Sequence, residues 1–147
     1  MQMPLRQYQQ TQVSTSNPEK ILLMLYDGAI NFSRIAREKA AKDERGERGK
    51  YVSKAQAIVA ELMNTLDHEM GGVIAKRLEQ LYMYIINEYV NANVNNSVSS
   101  LDNTIRILSI LRDTWAEAID IVRKERETGI PPVRGPFYWI SQSWRRK

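Results

Sequence analysis

The chain has 147 residues, a length that suits one domain with a single hydrophobic core, and it has no cysteine and one histidine, His68. This composition excludes disulfides, thiolate metal sites, cysteine nucleophiles and multi-histidine sites within one chain. Residues 123–147 hold seven Lys/Arg and two Glu, a net charge of +5, whereas residues 1–122 hold fourteen Lys/Arg and fifteen Asp/Glu, a net charge of −1.

A polar arm, residues 1–16, begins the chain and is rich in Gln, Ser and Thr. Only Leu5, Tyr8 and Val13 could bury apolar surface there, so we expect a flexible, loosely held N-terminal arm. The arm lacks the apolar core of a signal peptide, and no run in the chain approaches the ~18 apolar residues of a membrane span. We therefore expect a cytoplasmic protein that does not insert into a membrane.

Helix one is predicted from Asn17-Pro18-Glu19, where proline suits the first helical position and an Asn or Ser side chain can cap the free amides, to about Lys42. Its core stripe is Leu22, Leu25, Ala29, Phe32 and Ala36. Residues 21–26 are six consecutive apolar residues, and at 3.6 residues per turn they surround the helix. Another part of the chain, or a partner, must therefore cover this helix on more than one side.

Two more helices follow the turn DERGERGK. Helix two is predicted from about Glu47 to Asp67, and Gly71-Gly72 then separates it from helix three, which extends to about Ala92. The predicted core stripes are Val52, Ala55, Val59, Leu62 and Leu66 in helix two, and Ile74, Leu78, Leu81, Ile85 and Tyr89 in helix three.

Helix four is predicted from a Ser97 cap to about Glu127, and it has two apolar lines. The core stripe is Val98, Leu101, Ile105, Leu108, Trp115, Ile119 and Val122, and the second line is Ile107, Ile110, Leu111, Thr114 and Ile121. The second line has two interpretations: a wide apolar helix face covered by the arm or the tail, or a groove for a partner segment.

Strand signals are absent, and four amphipathic helices with short turns predict an all-α fold, an antiparallel up-down four-helix bundle over residues 17–127. The remaining segment is a C-terminal tail, residues 128–147, in which Pro131-Pro132 and Gly135-Pro136 prevent helix formation. Its four aromatic residues make docking on the bundle more favourable than free solvation; they are Phe137, Tyr138, Trp139 and Trp144. The same aromatic and basic content is compatible with nucleic acid, which is the less favoured interpretation.

No catalytic constellation assembles in the sequence. Asp67, His68 and Glu69 are contiguous, so on a helix their side chains diverge, and no Glu-x-x-His pair of a two-metal bundle occurs. We expect no enzyme activity, no metal and no cofactor. His68 is interpreted as a solvated residue at a helix end, where its acidic neighbours favour its charged form.

Five segments carry a resemblance to the FliS family of bacterial flagellin export chaperones: YQQTQ at 8–12, SNPEKILLMLYDGAINF at 16–32, KAQAIVAELMNTLDHEMGG at 54–72, IAKRLEQLYMYI at 74–85 and ILRDTWAEA at 110–118. The first is similar to the N-terminal Tyr-x-x-x-Q of the family and the others to its helical signatures. The resemblance covers roughly residues 8–124, and the tail from Thr128 lies outside it.

The resemblance implies a four-helix bundle that binds the disordered C-terminal segment of flagellin in the cytoplasm and keeps it monomeric until export. It also implies that the arm, carrying Tyr8, caps part of an apolar groove. The surplus over one core stripe assigns the flagellin-binding groove to Ile21, Leu25, Ile107, Leu111 and Thr114. The export apparatus and a second copy of the chain are further candidate partners. The alternative function is a helical docking or regulatory module for another soluble protein.

Overall fold

The computed structural model describes residues 17–129, which form four α-helices: α1 (Pro18–Ala41), α2 (Arg45–Asn64), α3 (His68–Asn95) and α4 (Val98–Glu127). Helix α1 packs against α2 and α4, and α3 packs against the same two helices. Because the connections are very short, successive helices run antiparallel and the two helices on each diagonal run parallel. The predicted all-α, up-down four-helix bundle is confirmed, and the described range contains no strand. No helix in that range is long and apolar enough to cross a membrane.

The helix starts follow the polar residues that precede them. Asn17, Asp67 and Ser97 each accept a hydrogen bond from a backbone amide three residues later, at 3.2, 3.0 and 3.1 Å. The Asp67 cap starts α3 at His68, earlier than the predicted start after Gly71-Gly72, and α2 ends at Asn64 rather than near Asp67. The predicted interruption at Gly71-Gly72 is present within α3, where Gly72, with φ 52° and ψ −127°, departs from helical backbone geometry.

Three polar contacts link the parallel helices α1 and α3, two across the centre of the bundle and one at its end. The Tyr26 and Tyr82 hydroxyls are hydrogen-bonded, and Trp115 Nε1 donates to the Tyr26 hydroxyl at 3.0 Å. One heptad further along, the Ser33 and Tyr89 hydroxyls lie 2.7 Å apart. These side chains are all buried. Each hydroxyl is thereby paired in a place where an unpaired polar group would be destabilising.

The third contact lies another heptad along, where Asn96 ends α3 in a left-handed conformation with φ 50°. Its Nδ2 donates to the carbonyl of Ala40 at 3.1 Å, and its Oδ1 accepts from Arg48 Nη1 at 2.7 Å. Asparagine tolerates this backbone conformation better than most residues. One side chain therefore joins the end of α3 to the end of α1 and the start of α2.

The predicted core stripes are correct for α1 and wrong in part for α3. All five predicted residues of α1 are buried, and in α2 only Leu66 is partly exposed. In α3, however, Ile74 and Leu81 are 52% and 38% exposed, and the neighbouring residues Ala75 and Tyr82 are buried instead. The reason is that Leu81 to Ile86 are all apolar, so the sequence pattern leaves the rotation of this helix undetermined.

We predict that Tyr26→Phe destabilises the protein more than Tyr89→Phe. The first change leaves the Tyr82 hydroxyl buried without its hydrogen-bond partner, which costs about 1–3 kcal/mol in addition to the lost bond. The second leaves Ser33 bonded to the Ala29 carbonyl and Thr104 bonded to the Leu101 carbonyl. Urea unfolding followed by circular dichroism measures both free energies. Equal losses would contradict a central role for the Tyr26–Tyr82 pair.

Alkaline unfolding tests the burial of the same residues. Burial raises the pKa of Tyr26 and of Tyr89 to about 12 and raises the pKa of Tyr82 well above its ordinary value of 10.0. Because the pKa values are higher in the folded than in the unfolded protein, the stabilisation from burying these neutral tyrosines is fully present below pH ~10. It is lost as the pH rises towards the folded pKa of about 12. We expect the helical circular dichroism signal to be lost at the same high pH at which the last tyrosines ionise, as followed by tyrosinate absorbance. Complete tyrosine ionisation with an intact helical signal would contradict this.

Candidate functional site

The bundle covers the six apolar residues 21–26 of α1: four are buried, two are partly buried and none is exposed. Ile21 and Leu25, which the sequence analysis assigns to a binding groove, are 4% and 7% exposed and belong to the hydrophobic core. Helices α2 and α4 flank α1, and Tyr26 reaches α3 across the centre. The bundle itself therefore supplies the cover that this run requires.

Helix α3 carries the apolar surface that sequence reasoning missed. The described residues include ten exposed large hydrophobic side chains, eight on α3 and two on α4: Met70, Val73, Ile74, Leu81, Met83, Tyr84, Val90, Val94, Ile110 and Ile121. The signal was present in the sequence, because residues 81–86 form a second run of six consecutive apolar residues. Three members of this run are exposed. A run of six consecutive apolar residues, which in α1 is covered by the bundle, therefore marks exposed surface on α3.

Helical spacing and the antiparallel packing of α3 and α4 indicate that two rows of side chains flank their boundary, and we call the surface between the rows the α3–α4 groove. On α3 the row is Glu88, Tyr84, Leu81, Arg77 and Ile74; on α4 it is Asn103, Ile107, Ile110, Thr114, Glu117 and Ile121. Each row steps by three or four residues and so stays on one side of its helix.

One hydrogen bond joins the two rows, and a second joins the residues one step beyond them. Asn103 Nδ2 donates to Glu88 Oε2 at 2.8 Å, and Asn91 Nδ2 donates to the Ser100 hydroxyl at 2.5 Å. The antiparallel register that they fix places Tyr84 at the level of Ile107 and Leu81 at the level of Ile110. Beyond these contacts the groove is lined by partly or fully exposed apolar side chains, towards the start of α3 and the end of α4.

The predicted groove residues of α4 lie on this side of the helix. Ile107 and Leu111 are partly buried and pack against the core, so they belong to the floor of the α3–α4 groove. Thr114 is exposed in the α4 row, and its hydroxyl donates to the Ile110 carbonyl at 2.8 Å. Tyr8, the predicted N-terminal cap, lies outside the described residues, as does most of the predicted tail. The structure therefore assembles three of the five predicted groove residues and places the other two in the core.

The opposite side of α4 forms salt bridges with α1. In the described range, all three salt bridges between α4 and another helix go to α1: Arg37–Asp102 at 2.8 Å, Arg112–Asp27 at 3.0 Å and Arg126–Glu19 at 3.6 Å. The pKa of Arg112 is raised by its hydrogen bond to Asp27. A small cleft remains near the end of this boundary, which we call the α1–α4 cleft; it is lined by Asn17, Glu19, Lys20, Leu23, Ile119, Val122, Arg123 and Arg126.

His68 lies at the start of α3, about half exposed, with its Nε2 3.0 Å from Glu79 Oε2. It is the solvated helix-end residue that the sequence analysis predicted. Among the described residues, no group of three or more His, Asp or Glu side chains is placed to hold a metal ion. The described surface offers exposed apolar groups that a partner can bury, and most of the large ones lie on α3.

Comparison with known proteins gives a consistent result. The family model described as "Flagellar protein FliS" matches residues 1–122. The chain is 32% identical over 126 residues to the flagellar secretion chaperone FliS of Bacillus subtilis, covering 86% of this chain and 93% of that protein. It is 34% identical over 115 residues to the flagellar secretion chaperone FliSB of Pseudomonas aeruginosa (76% and 91%). With FliS of Vibrio cholerae it shares 36% identity over 107 residues (71% and 77%).

Proposed function

The chain belongs to the FliS family, and on that premise we propose that it is a flagellar secretion chaperone that binds the disordered C-terminal segment of flagellin. The observation that carries the proposal is the row of exposed apolar side chains Ile74, Leu81 and Tyr84 on α3, together with the exposed Ile110 and Ile121 in the facing row of α4. The client keeps its apolar face hidden while bound, does not polymerise, and is passed to the export apparatus in an unfolded form.

The α3–α4 groove suits an amphipathic segment of such a client. Apolar residues spaced by three and four on a client helix would lie between Leu81 and Tyr84 of α3 and Ile110 of α4. Full burial of a large aliphatic side chain contributes about 1.5–3 kcal/mol, and these side chains are 38–56% exposed, so each contributes part of that value. Several such contacts offset the roughly 2–5 kcal/mol needed to order a disordered segment.

Flagellin contact is proposed for the α3–α4 groove and not for the core of α1. Ile107, Leu111 and Thr114 remain in the proposed site, as its floor and one wall. Ile21 and Leu25 are omitted because they are buried in the core, and a client could reach them only by opening the bundle. Leu81, Tyr84 and other exposed residues of α3 replace them.

We predict that Ile110→Asp weakens binding of a synthetic flagellin C-terminal peptide at least tenfold without unfolding the bundle. Ile110 is 56% exposed, so an aspartate is solvated in the free protein but loses water when a client covers the groove. Isothermal titration calorimetry measures the affinity. Urea unfolding should show a stability within about 0.5 kcal/mol of the parent, as for other surface substitutions. Ile107 and Leu111 are poorer choices because both pack against the core.

Val90→Asp is the matched control. Val90 is 49% exposed, and it lies nine residues from Leu81, half a turn away on the opposite side of α3. We expect the control to bind the peptide like the parent. Unchanged affinity in Ile110→Asp, or equal losses in the two variants, would contradict the α3–α4 groove as the client site. Loss of helicity in Ile110→Asp would show that Ile110 is a core residue.

A further inference from the structure

We propose that the C-terminal segment, residues 130–147, docks into the α3–α4 groove of its own chain and competes there with the client. The docking follows from the groove and the segment alone, whereas the competition also rests on the proposed function. The family match ends at residue 122, so this segment is an addition of this chain to the family pattern.

The C-terminal segment begins where α4, one wall of the α3–α4 groove, ends. Thr128 caps the helix, and Gly129, with φ 74°, donates its amide to the Arg126 carbonyl at 3.3 Å. A glycine in this left-handed conformation ends a helix and turns the chain away from its axis. The next residues are Ile130-Pro131-Pro132, and proline pairs favour an extended backbone. The helix therefore ends beside the α3–α4 groove, and the sequence of the segment that follows disfavours a continuation of α4.

The reach of the chain matches the groove. Ile121 and Ile110 lie 8 and 19 residues before Gly129, which places them about 12 Å and 28 Å back along α4. Phe137 and Trp139 lie 8 and 10 residues after Gly129, so an extended backbone can carry them about 25–31 Å. If the segment runs back along α4, its aromatic cluster reaches the exposed isoleucines of the α4 row.

The chemistry of segment and groove is complementary. Phe137, Tyr138 and Trp139 can each bury about 150–250 Å² of surface. Ile110 and Ile121 are more than half exposed, and Ile74 and Leu81 face them from α3. Docking removes both sets of apolar groups from water, and the terminal basic residues can remain at the solvated rim.

The net charges of the two sites favour docking of the segment in the α3–α4 groove rather than in the α1–α4 cleft. Residues 130–147 carry four basic and no acidic side chains, Arg134, Arg145, Arg146 and Lys147. The charged residues of the groove rows are Arg77, Glu88 and Glu117, a net charge of −1. The α1–α4 cleft also has an apolar floor, but its lining residues Glu19, Lys20, Arg123 and Arg126 have a net charge of +2, which remains +1 when Asp120, the ion-pair partner of Arg123, is included. A basic segment is attracted to the first site and repelled by the second.

Paramagnetic NMR on the full chain tests the docking directly, because the chain has no cysteine and a spin label can be placed at one site. The label goes on Glu117→Cys in the α4 row or, as the control, on Ser53→Cys, an exposed position of α2. The indole signals of Trp139 and Trp144 are assigned with Trp139→Phe and Trp144→Phe. We expect the first label to broaden the Trp139 signal and the second to leave it sharp.

An unbroadened Trp139 signal with the label at position 117, or equal broadening from both positions, overturns the docking. A mixture of spin-labelled chains and isotope-labelled chains distinguishes a second copy as the acceptor. Broadening that arises only between chains overturns docking within one chain and assigns the groove to a dimer contact.

The competition is measured with the flagellin C-terminal peptide and the full-chain variant Phe137→Ser/Tyr138→Ser/Trp139→Ser. If the segment occupies the groove about 90% of the time, removing its aromatics tightens peptide binding about tenfold. Unchanged affinity with intact Trp139 broadening overturns the competition. Absence of peptide binding by both proteins, with the broadening intact, contradicts the proposed function and leaves the docking established.

Discussion

The structure depends on the alignment of the two parallel helices α1 and α3 through three polar contacts, two of them buried and one partly buried. Tyr26 meets Tyr82, Ser33 meets Tyr89, and Ala40 meets Asn96, each pair separated by 56 residues in sequence. The contacts recur every seven residues, so one register satisfies all of them together. A shift of either helix would leave buried hydroxyl groups unpaired, at about 1–3 kcal/mol each. Apolar packing alone tolerates such shifts far better.

This alignment places α1 and α3 on opposite corners, but the two helices are enclosed to different degrees. Helix α1 buries every residue of its apolar run either partly or fully, and three salt bridges span its boundary with α4. Exposed ion pairs contribute little stability, but these three lie along one boundary and fix its register. Helix α3 is joined to α4 by amide hydrogen bonds near one end, and the remainder of their boundary leaves apolar side chains uncovered.

An open apolar surface on a rigid bundle suits a chaperone that must bind a disordered client and later release it. The core and its polar contacts keep the bundle folded whether or not a client is present, so binding does not require the chaperone itself to fold. In the proposed complex the client would bear the ordering cost, and this would keep the affinity moderate relative to the surface covered. A covering segment from the same chain would lower the apparent affinity further and protect the groove between clients.

The sequence by itself determined the four helices, their capping residues Asn17 and Ser97, the absence of strands in the described range, and the family. These features follow from local chemistry and from periodicity within one helix. Only the tertiary structure decided which of the two six-residue apolar runs is covered, because coverage depends on how closely the neighbouring helices approach. It also decided that Tyr82 rather than Leu81 points to the core, since a run that is apolar on all sides does not specify the rotation of its helix.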